Sequence, residues 1–330
     1  MLNIGILGSG RIGQVHARAI MASLDARVAA VSDFLPAAAD ALALKTGGVA
    51  MTSEAIIADA SIDAVIIGTP TTTHYDLIHQ AAAAGKAIFC EKPVDLSADR
   101  IRDCLKAVET AGVAFMVAFN RRFDPNFAGM QSRIAAGEVG DVELVTILSR
   151  DPSAPPIEYI KSSGGIFRDM MIHDLDMARF LLGEEPVSLH ATGSCLVDPA
   201  IGEAGDFDTA AVTLRTASGK ICQISNSRRA SYGYDQRIEV HGSKGMIRAD
   251  NILESSVEVA TEDGFRRAPP LNFFLERYEA AYANELAHFV AALKAGSTPQ
   301  PDGNDGLKAQ MLADAAAESC ADGLVKTLQL

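Results

Sequence analysis

Short apolar runs alternate with amphipathic stretches through the first third of the chain, and that rhythm predicts strand–helix repeats. Leu2–Leu7 is an apolar run rich in β-branched residues, and a helix-like stretch follows to about Ser23. Strands are then predicted at Arg27–Ser32, Val49–Met51, Ala64–Ile67, Ala87–Cys90 and Val113–Val117. Helices are predicted between them at Pro36–Lys45, His74–Ala84 and Ala98–Ala111. Such alternation implies a parallel sheet covered on both faces, with ligands bound beyond the carboxyl ends of its strands.

The pattern changes after Phe119, where a domain boundary is expected. Asp124–Gly137 is predicted as a helix and Val142–Ser149 as a strand, followed by a polar, proline-containing loop at 151–156. Strand-like segments then succeed one another at Val187–Leu196, Thr209–Arg215, Lys220–Ser225, Arg237–His241, Met246–Ala249 and Ser256–Ala260. Thr216–Gly219 and Gly242–Gly245 have the composition of hairpin turns. Phe273–Ala295 and Gly306–Leu324 are predicted as closing helices.

Two places in this pattern carry candidate chemistry. Gly8-Ser9-Gly10-Arg11-Ile12-Gly13 sits between the first strand and the first helix, and Asp33 follows 20 positions after Gly13. The glycine pattern alone is common. In this strand–turn–helix setting, with a carboxylate at that distance, it is a dinucleotide fingerprint. Gly8 permits the turn, Gly10 lets the backbone approach a pyrophosphate, and Gly13 lets helix and strand pack closely. Asp33 would accept hydrogen bonds from ribose hydroxyls and repel a 2′-phosphate, and neither Phe34 nor Leu35 offers a guanidinium. NAD is therefore expected over NADP.

The second place follows the double glycine Gly164-Gly165. A helix is predicted from there through Asp169, His173 and Asp176 to Gly183, with Met171, Leu175, Ala178 and Leu182 as its apolar stripe. On one continuous helix Asp169 and His173, four residues apart, would project from one face, with Asp176 one turn further on. A carboxylate beside an imidazole can handle protons. The same spacing suits a helix-surface ion pair, and it could hold zinc. No other histidine lies nearby in sequence, so no metal is expected.

Charge and cysteine content narrow the function class. The chain of 330 residues is 48% hydrophobic with a net charge of −13 and a pI near 5.0. That balance argues against a nucleic-acid partner. Five cysteines occur without a C-x-x-C pair, so neither a disulfide framework nor a structural zinc is suggested. No basic n-region with an apolar h-region and no apolar run of about 18 residues appears. A cytoplasmic protein with reduced thiols and no membrane segment is expected.

Taken with Glu91-Lys92-Pro93 at the end of the fifth strand, the glycine fingerprint and Asp169-x-x-x-His173 after the double glycine resemble the glucose–fructose oxidoreductase / inositol dehydrogenase family, Gfo/Idh/MocA. The order and separation of the three features fit over essentially the whole chain. Phe119–Asp124, Arg150–Pro156 and Tyr232–Asp235 point to the inositol dehydrogenase branch.

The resemblance implies an α/β protein in two domains. Residues 1–119 would form an NAD-binding Rossmann-type parallel sheet. Residues 120–330 would form a substrate-binding and oligomerisation domain with a large, mainly antiparallel open sheet, the last helices packing back on the first domain. It implies Lys92, Asp169 and His173 as the catalytic set, and a cofactor site of Gly8, Gly10, Arg11, Ile12, Gly13, Asp33, Thr69, Pro70, His74, Glu91, Lys92 and Asn120. The substrate would meet Lys92, Arg121, Asp169, His173, Tyr234 and Tyr282. The implied reaction is NAD-dependent oxidation of myo-inositol to its 2-keto form by a homodimer or homotetramer. Oxidation of another cyclic polyol or aldose, such as scyllo-inositol or glucose, is the alternative. A nicotinamide-binding sensor without catalysis is a third possibility, and the presence of all three catalytic positions counts against it.

Overall fold

A computed structural model describes residues 1–330. The chain divides into two compact units, Met1–Phe123 with Ala280–Gln310, and Asp124–Glu279 with Met311–Leu330. The first unit takes in a late segment beside the opening residues. Leu286, Phe289 and Val290 supply the reason, since they are buried in the same core cluster as Ile4, Ile6, Ile66 and Phe89.

The first unit opens with β1 (Leu2–Leu7), α1 (Arg11–Met21), β2 (Ala26–Ser32), α2 (Pro36–Thr46), β3 (Val49–Ala50) and α3 (Ser53–Ala58). It continues with β4 (Ala64–Ile67), α4 (His74–Ala83), β5 (Ala87–Cys90), α5 (Ala98–Ala111) and β6 (Phe115–Val117). The strands form one parallel sheet in the order β3-β2-β1-β4-β5-β6. Every residue of β4 is fully buried, as a strand covered on both faces requires. The order reverses between β1 and β4, which is where the loops after both strands can part to admit a ligand.

The second unit begins with α6 (Pro125–Ala135), β7 (Val142–Arg150), α7 (Ile157–Ser163), α8 (Gly165–Asp169) and α9 (Ile172–Leu182). Then come β8 (Pro186–Ser194), α10 (Pro199–Glu203), β9 (Thr209–Thr216), β10 (Ile221–Ser227), β11 (Asp235–Gly242) and β12 (Gly245–Ala249). A separate hairpin, β13 (Glu258–Thr261) and β14 (Gly264–Arg267), precedes α11 (Phe274–Arg277); nearly all of α12 (Glu279–Ala295) and the first part of α13 (Gly303–Asp322) belong to the first unit, and the rest of α13 with β15 (Lys326–Thr327) to the second. The main sheet runs β12-β11-β7-β10-β9-β8-β15, antiparallel except for the β7–β10 pair. Buried and exposed residues alternate along β9, so one face of the sheet is covered and the other is open. Met171, Leu175, Ala178 and Leu182 are all buried, as the apolar stripe predicts.

Three departures from the sequence pattern matter most for the second unit. The predicted helix over 273–295 is broken at Tyr278, because Arg277 is drawn to Asp124 and the Tyr278 ring packs edge-on against Tyr234. Residues 157–163, unassigned from sequence, form α7. Pro156 before its start and left-handed Gly164 after its end are the usual helix punctuation. The third departure, inside the predicted Asp169/His173 helix, belongs to the candidate site.

Candidate active site

In the first unit the glycine fingerprint is a turn built around three different steric needs. Gly8 has φ +101°, and a side chain there would meet the backbone of Gly68 at 2.7 Å. A Cβ on Gly13 would lie 1.9 Å from the Gly8 carbonyl oxygen. Gly10 caps α1 with nothing within 4 Å of the position its Cβ would take. The first turn of α1 holds no acidic residue, and no side chain caps it, so its N–H groups can face an anion. Arg11 is exposed at the head of this helix and Ile12 is half-buried against the Gly68 position.

Asp33 closes the back of the turn. One of its carboxylate oxygens accepts from Ser9 N at 2.7 Å and the other from Leu35 N at 2.9 Å. Each oxygen has a second lone pair, so the carboxylate can hold the loop and still accept from a ribose hydroxyl. The open space at Gly10, the bare helix N-terminus and the placed carboxylate fit a dinucleotide.

The neighbouring strand ends are tied together by buried side chains. His74 is buried with Nδ1 3.0 Å from the Pro93 carbonyl and Nε2 2.9 Å from the Thr69 carbonyl. Burial pushes its pKa below the usual value, against the pull of the two carbonyls. His74, expected as a cofactor contact, clamps the loop carrying Thr69 and exposed Pro70 to the loop carrying Lys92. Glu91 is also committed inward: its Oε1 lies 2.7 Å from Nε2 of His16 on α1. The His16 ring meets Tyr282 edge-on, with centroids 5.9 Å apart. The structure thus places Tyr282, expected as a substrate contact, in a buried aromatic–acid cluster of the first unit. Lys92 is half-buried, and its peptide bond to Pro93 is cis. Asn120 and Arg121 lie buried in a 3₁₀ turn spanning Asn120–Phe123.

In the second unit the expected single helix is two. Met171 N bonds back five residues to Ile166 O at 2.8 Å, and Asp174 N and Leu175 N both bond to Met171 O. The hydrogen-bond ladder therefore slips at Met170–Met171, both buried. Asp169 ends α8 and His173 lies in the first turn of α9, so their relation is not the i, i+4 pairing of an unbroken helix. A five-residue step in the ladder is often found at functional sites.

Asp169 is held on both oxygens. Oδ1 accepts from the Tyr159 hydroxyl at 2.9 Å, and Oδ2 lies 3.8 Å from Nη1 of Arg228. Arg228, immediately after β10, is almost wholly buried and reaches Asp206 through Nη2 at 3.3 Å. Asp206 in turn accepts from Ile166 N at 2.8 Å, in the first turn of α8. Gly165 makes this possible: its φ is +83°, and a Cβ there would lie 2.7 Å from Asp206 Oδ1. Asp176 is buried, with Arg179 Nη1 3.7 Å from its Oδ1. Tyr234 is buried against Tyr278, whereas Tyr232 is half exposed and donates to Asp235 at 2.6 Å. His16, Tyr159, Asp206 and Arg228 are the residues that sequence reasoning passes over.

Comparison with known proteins decides the family. Residues 2–119 match the family described as "Oxidoreductase family, NAD-binding Rossmann fold", and residues 127–248 match "GFO/IDH/MocA C-terminal domain". The chain belongs to the Gfo/Idh/MocA oxidoreductases. An inositol 2-dehydrogenase of Rhizobium meliloti (strain 1021) is 60% identical over 97% of both chains. A myo-inositol 2-dehydrogenase of Thermotoga maritima is 44% identical over 96% of each. Among solved structures, a myo-inositol dehydrogenase from Corynebacterium glutamicum superposes with a TM-score of 0.96 at 43% identity, covering 100% of this chain and 99% of that one. A scyllo-inositol dehydrogenase from Lactobacillus casei, solved with NAD(H) and scyllo-inositol, has a TM-score of 0.92 at 30% identity and covers 99% of each. No helix is long and apolar enough to cross a membrane.

Proposed function

We propose that this chain is an NAD-dependent inositol 2-dehydrogenase that oxidises myo-inositol to 2-keto-myo-inositol. The observation that carries the reading is the 60% identity to an inositol 2-dehydrogenase across 97% of both chains, in a sequence that has Lys92, Asp169 and His173 at the motif positions. Gly8, Gly10, Gly13 and Asp33 would hold the cofactor. NAD, when bound, supplies the acceptor for the hydride leaving the substrate carbon.

The chain's own residues must move the hydroxyl proton and grip the ring. A secondary alcohol is a very weak acid, so its oxidation calls for a base near neutrality, and His173 is assigned that role. Asp169 binds the reacting hydroxyl or its neighbour and balances the charge that His173 acquires. Lys92 donates to the oxygen as it becomes negative. Arg121 and the half-exposed Tyr232 are candidates to grip further hydroxyls. Tyr234 and Tyr282, each with its ring in an edge-on aromatic contact, are candidates for the same task. The homo-oligomeric and cytoplasmic expectations go with this reading, and size-exclusion chromatography and cell fractionation test them.

Turnover with NAD on a panel of myo-inositol, scyllo-inositol and glucose tests the activity. The scyllo-inositol arm is needed because a scyllo-inositol 2-dehydrogenase (NAD(+)) of Bacillus subtilis is 39% identical over 89% of this chain. His173→Ala should lower kcat by about 10² or more, the usual scale for a positioned base, with NAD binding kept. Lys92→Ala should also lose kcat and keep the fold. Loss of NAD binding together with turnover in His173→Ala would mean a collapsed α9. Full turnover would remove His173 from the mechanism, and no turnover on any polyol by the wild type would leave the sensor reading.

A further inference from the structure

We infer that Arg228 is a positioning residue for the oxidation, acting on the substrate through Asp169; this rests on the proposed catalytic role of Asp169. The geometry makes one guanidinium the anchor of the whole short helix α8. At the helix start, Asp206 accepts from Ile166 N at 2.8 Å. At the helix end, Asp169 presents Oδ2 to Arg228 at 3.8 Å. Arg228 joins the two carboxylates, with Nη2 3.3 Å from Asp206 Oδ2. Its own backbone is fixed by Arg228 N donating to Asp208 O at 2.8 Å. Asp208 is fixed in turn by accepting from the backbone of Leu196, Val197 and Asp198.

Burial decides that this is more than a surface ion pair. The Arg228 side chain is 1% exposed, and those of Asp206 and Asp169 are 8% and 14% exposed. Exposed pairs contribute little, but a buried charge must be matched, and its partners are held in place by it. Tyr159 holds Asp169 from the other oxygen at 2.9 Å. Arg168, the adjacent cation, is engaged elsewhere, with Asp314 at 2.6 Å. Arg228 therefore supplies the fixed positive charge against which the Asp169 carboxylate keeps one orientation as the substrate hydroxyl is bound. A misplacement of about 1 Å at such a group can cost about 10²-fold in rate.

Arg228→Met, Arg228→Lys and Asp169→Asn, alone and with Arg228→Met combined with Asp169→Asn, test this in the full-length protein, with active sites counted by NAD binding. Arg228→Met should lower kcat per NAD-binding site by about 10–100-fold, well beyond any change in polyol KM. Arg228→Lys should recover part of that loss and remain severalfold slower than wild type, because a point charge does not reproduce the fork. In the Asp169→Asn background, Arg228→Met should cost little more, since both changes remove one interaction. Unchanged kcat per site in Arg228→Met overturns the inference, and so does a Lys variant no better than Met. A loss that multiplies with that of Asp169→Asn overturns it as well. If Arg228→Met does not fold, Arg228→Lys decides, and wild-type kcat in it overturns the inference. Wild-type turnover in Asp169→Asn is a separate outcome: it defeats the assignment of Asp169 itself.

Discussion

Gly10 and Gly13, three residues apart in the same motif, should fail in opposite ways when given a methyl group. At Gly10 the new Cβ has nothing within 4 Å, and the backbone, at φ −68° and ψ −165°, is one that alanine adopts freely. Gly10→Ala should therefore leave the folding of the apo protein within about 0.5 kcal/mol of wild type. The space it fills is the approach to the α1 amides. If a pyrophosphate bonds there, the methyl group lengthens or breaks at least one charge-assisted hydrogen bond, worth about 1.5–3 kcal/mol. At 1.4 kcal/mol per tenfold, the Kd for NAD should rise by about 10–100-fold. At Gly13 the Cβ would sit 1.9 Å from the Gly8 oxygen, well inside ordinary contact, and the obstacle is backbone that cannot rotate away. Gly13→Ala should cost at least the 1–3 kcal/mol typical of overpacking, roughly, and lower the apo Tm. Calorimetry for NAD binding and apo thermal melts separate the two effects. Wild-type NAD affinity in Gly10→Ala would mean that the turn is not the pyrophosphate cradle. An apo Tm as low in Gly10→Ala as in Gly13→Ala would refute the steric argument.

Two further outcomes follow from placed carboxylates. Asp33→Ser should reduce the ratio of kcat/KM with NAD to that with NADP, because the charge opposing a 2′-phosphate is gone; an unchanged ratio counts against cofactor selection by Asp33. Asp235 bears on acid stability: burial pushes its carboxyl up, but hydrogen bonds from Arg237, Tyr232 and Asn251 and the Arg237 charge outweigh this and leave it at about 2. A carboxyl depressed in the folded state contributes above its unfolded value, and that contribution is lost as pH falls from about 4 towards about 2. The stability gap between wild type and Asp235→Asn should therefore shrink over that window, by about 2 kcal/mol, in denaturant titrations at each pH; a constant gap would refute it.

What the sequence made legible was local. The strand–helix rhythm, the Gly8–Gly13 turn and the stripe Met171–Leu182 depend on spacing within one or two turns of chain, and the structure has them where the spacing puts them. The single helix through Asp169 and His173 was not legible as two, because the slip at Met170–Met171 leaves no glycine or proline to announce it. Two consecutive buried methionines are compatible with either ladder. The partners of the site were illegible for a different reason. Arg228 stands 59 positions after Asp169 and Asp206 stands 40 after Ile166, and nothing in spacing joins them. Sheet register does. β10 runs parallel to β7 with Ser227 opposite Arg150, so the residue after Ser227 emerges at the end of the sheet where α8 begins its approach to Asp206.

That register also explains why the double glycine is where it is. Gly164 ends α7 in the left-handed conformation, and Gly165, also left-handed, leaves the room that the Asp206 carboxylate occupies. Read along the chain, the pair is only a break between helices. Read in the fold, it is the gap through which Asp206 reaches the Ile166 amide of α8, and Asp206 is the second carboxylate on Arg228. A side chain at 165 would displace Asp206 and leave the guanidinium with Asp169 alone. The motif glycine and the buried arginine are thus parts of one device, the glycine by making space and the arginine by filling it with charge.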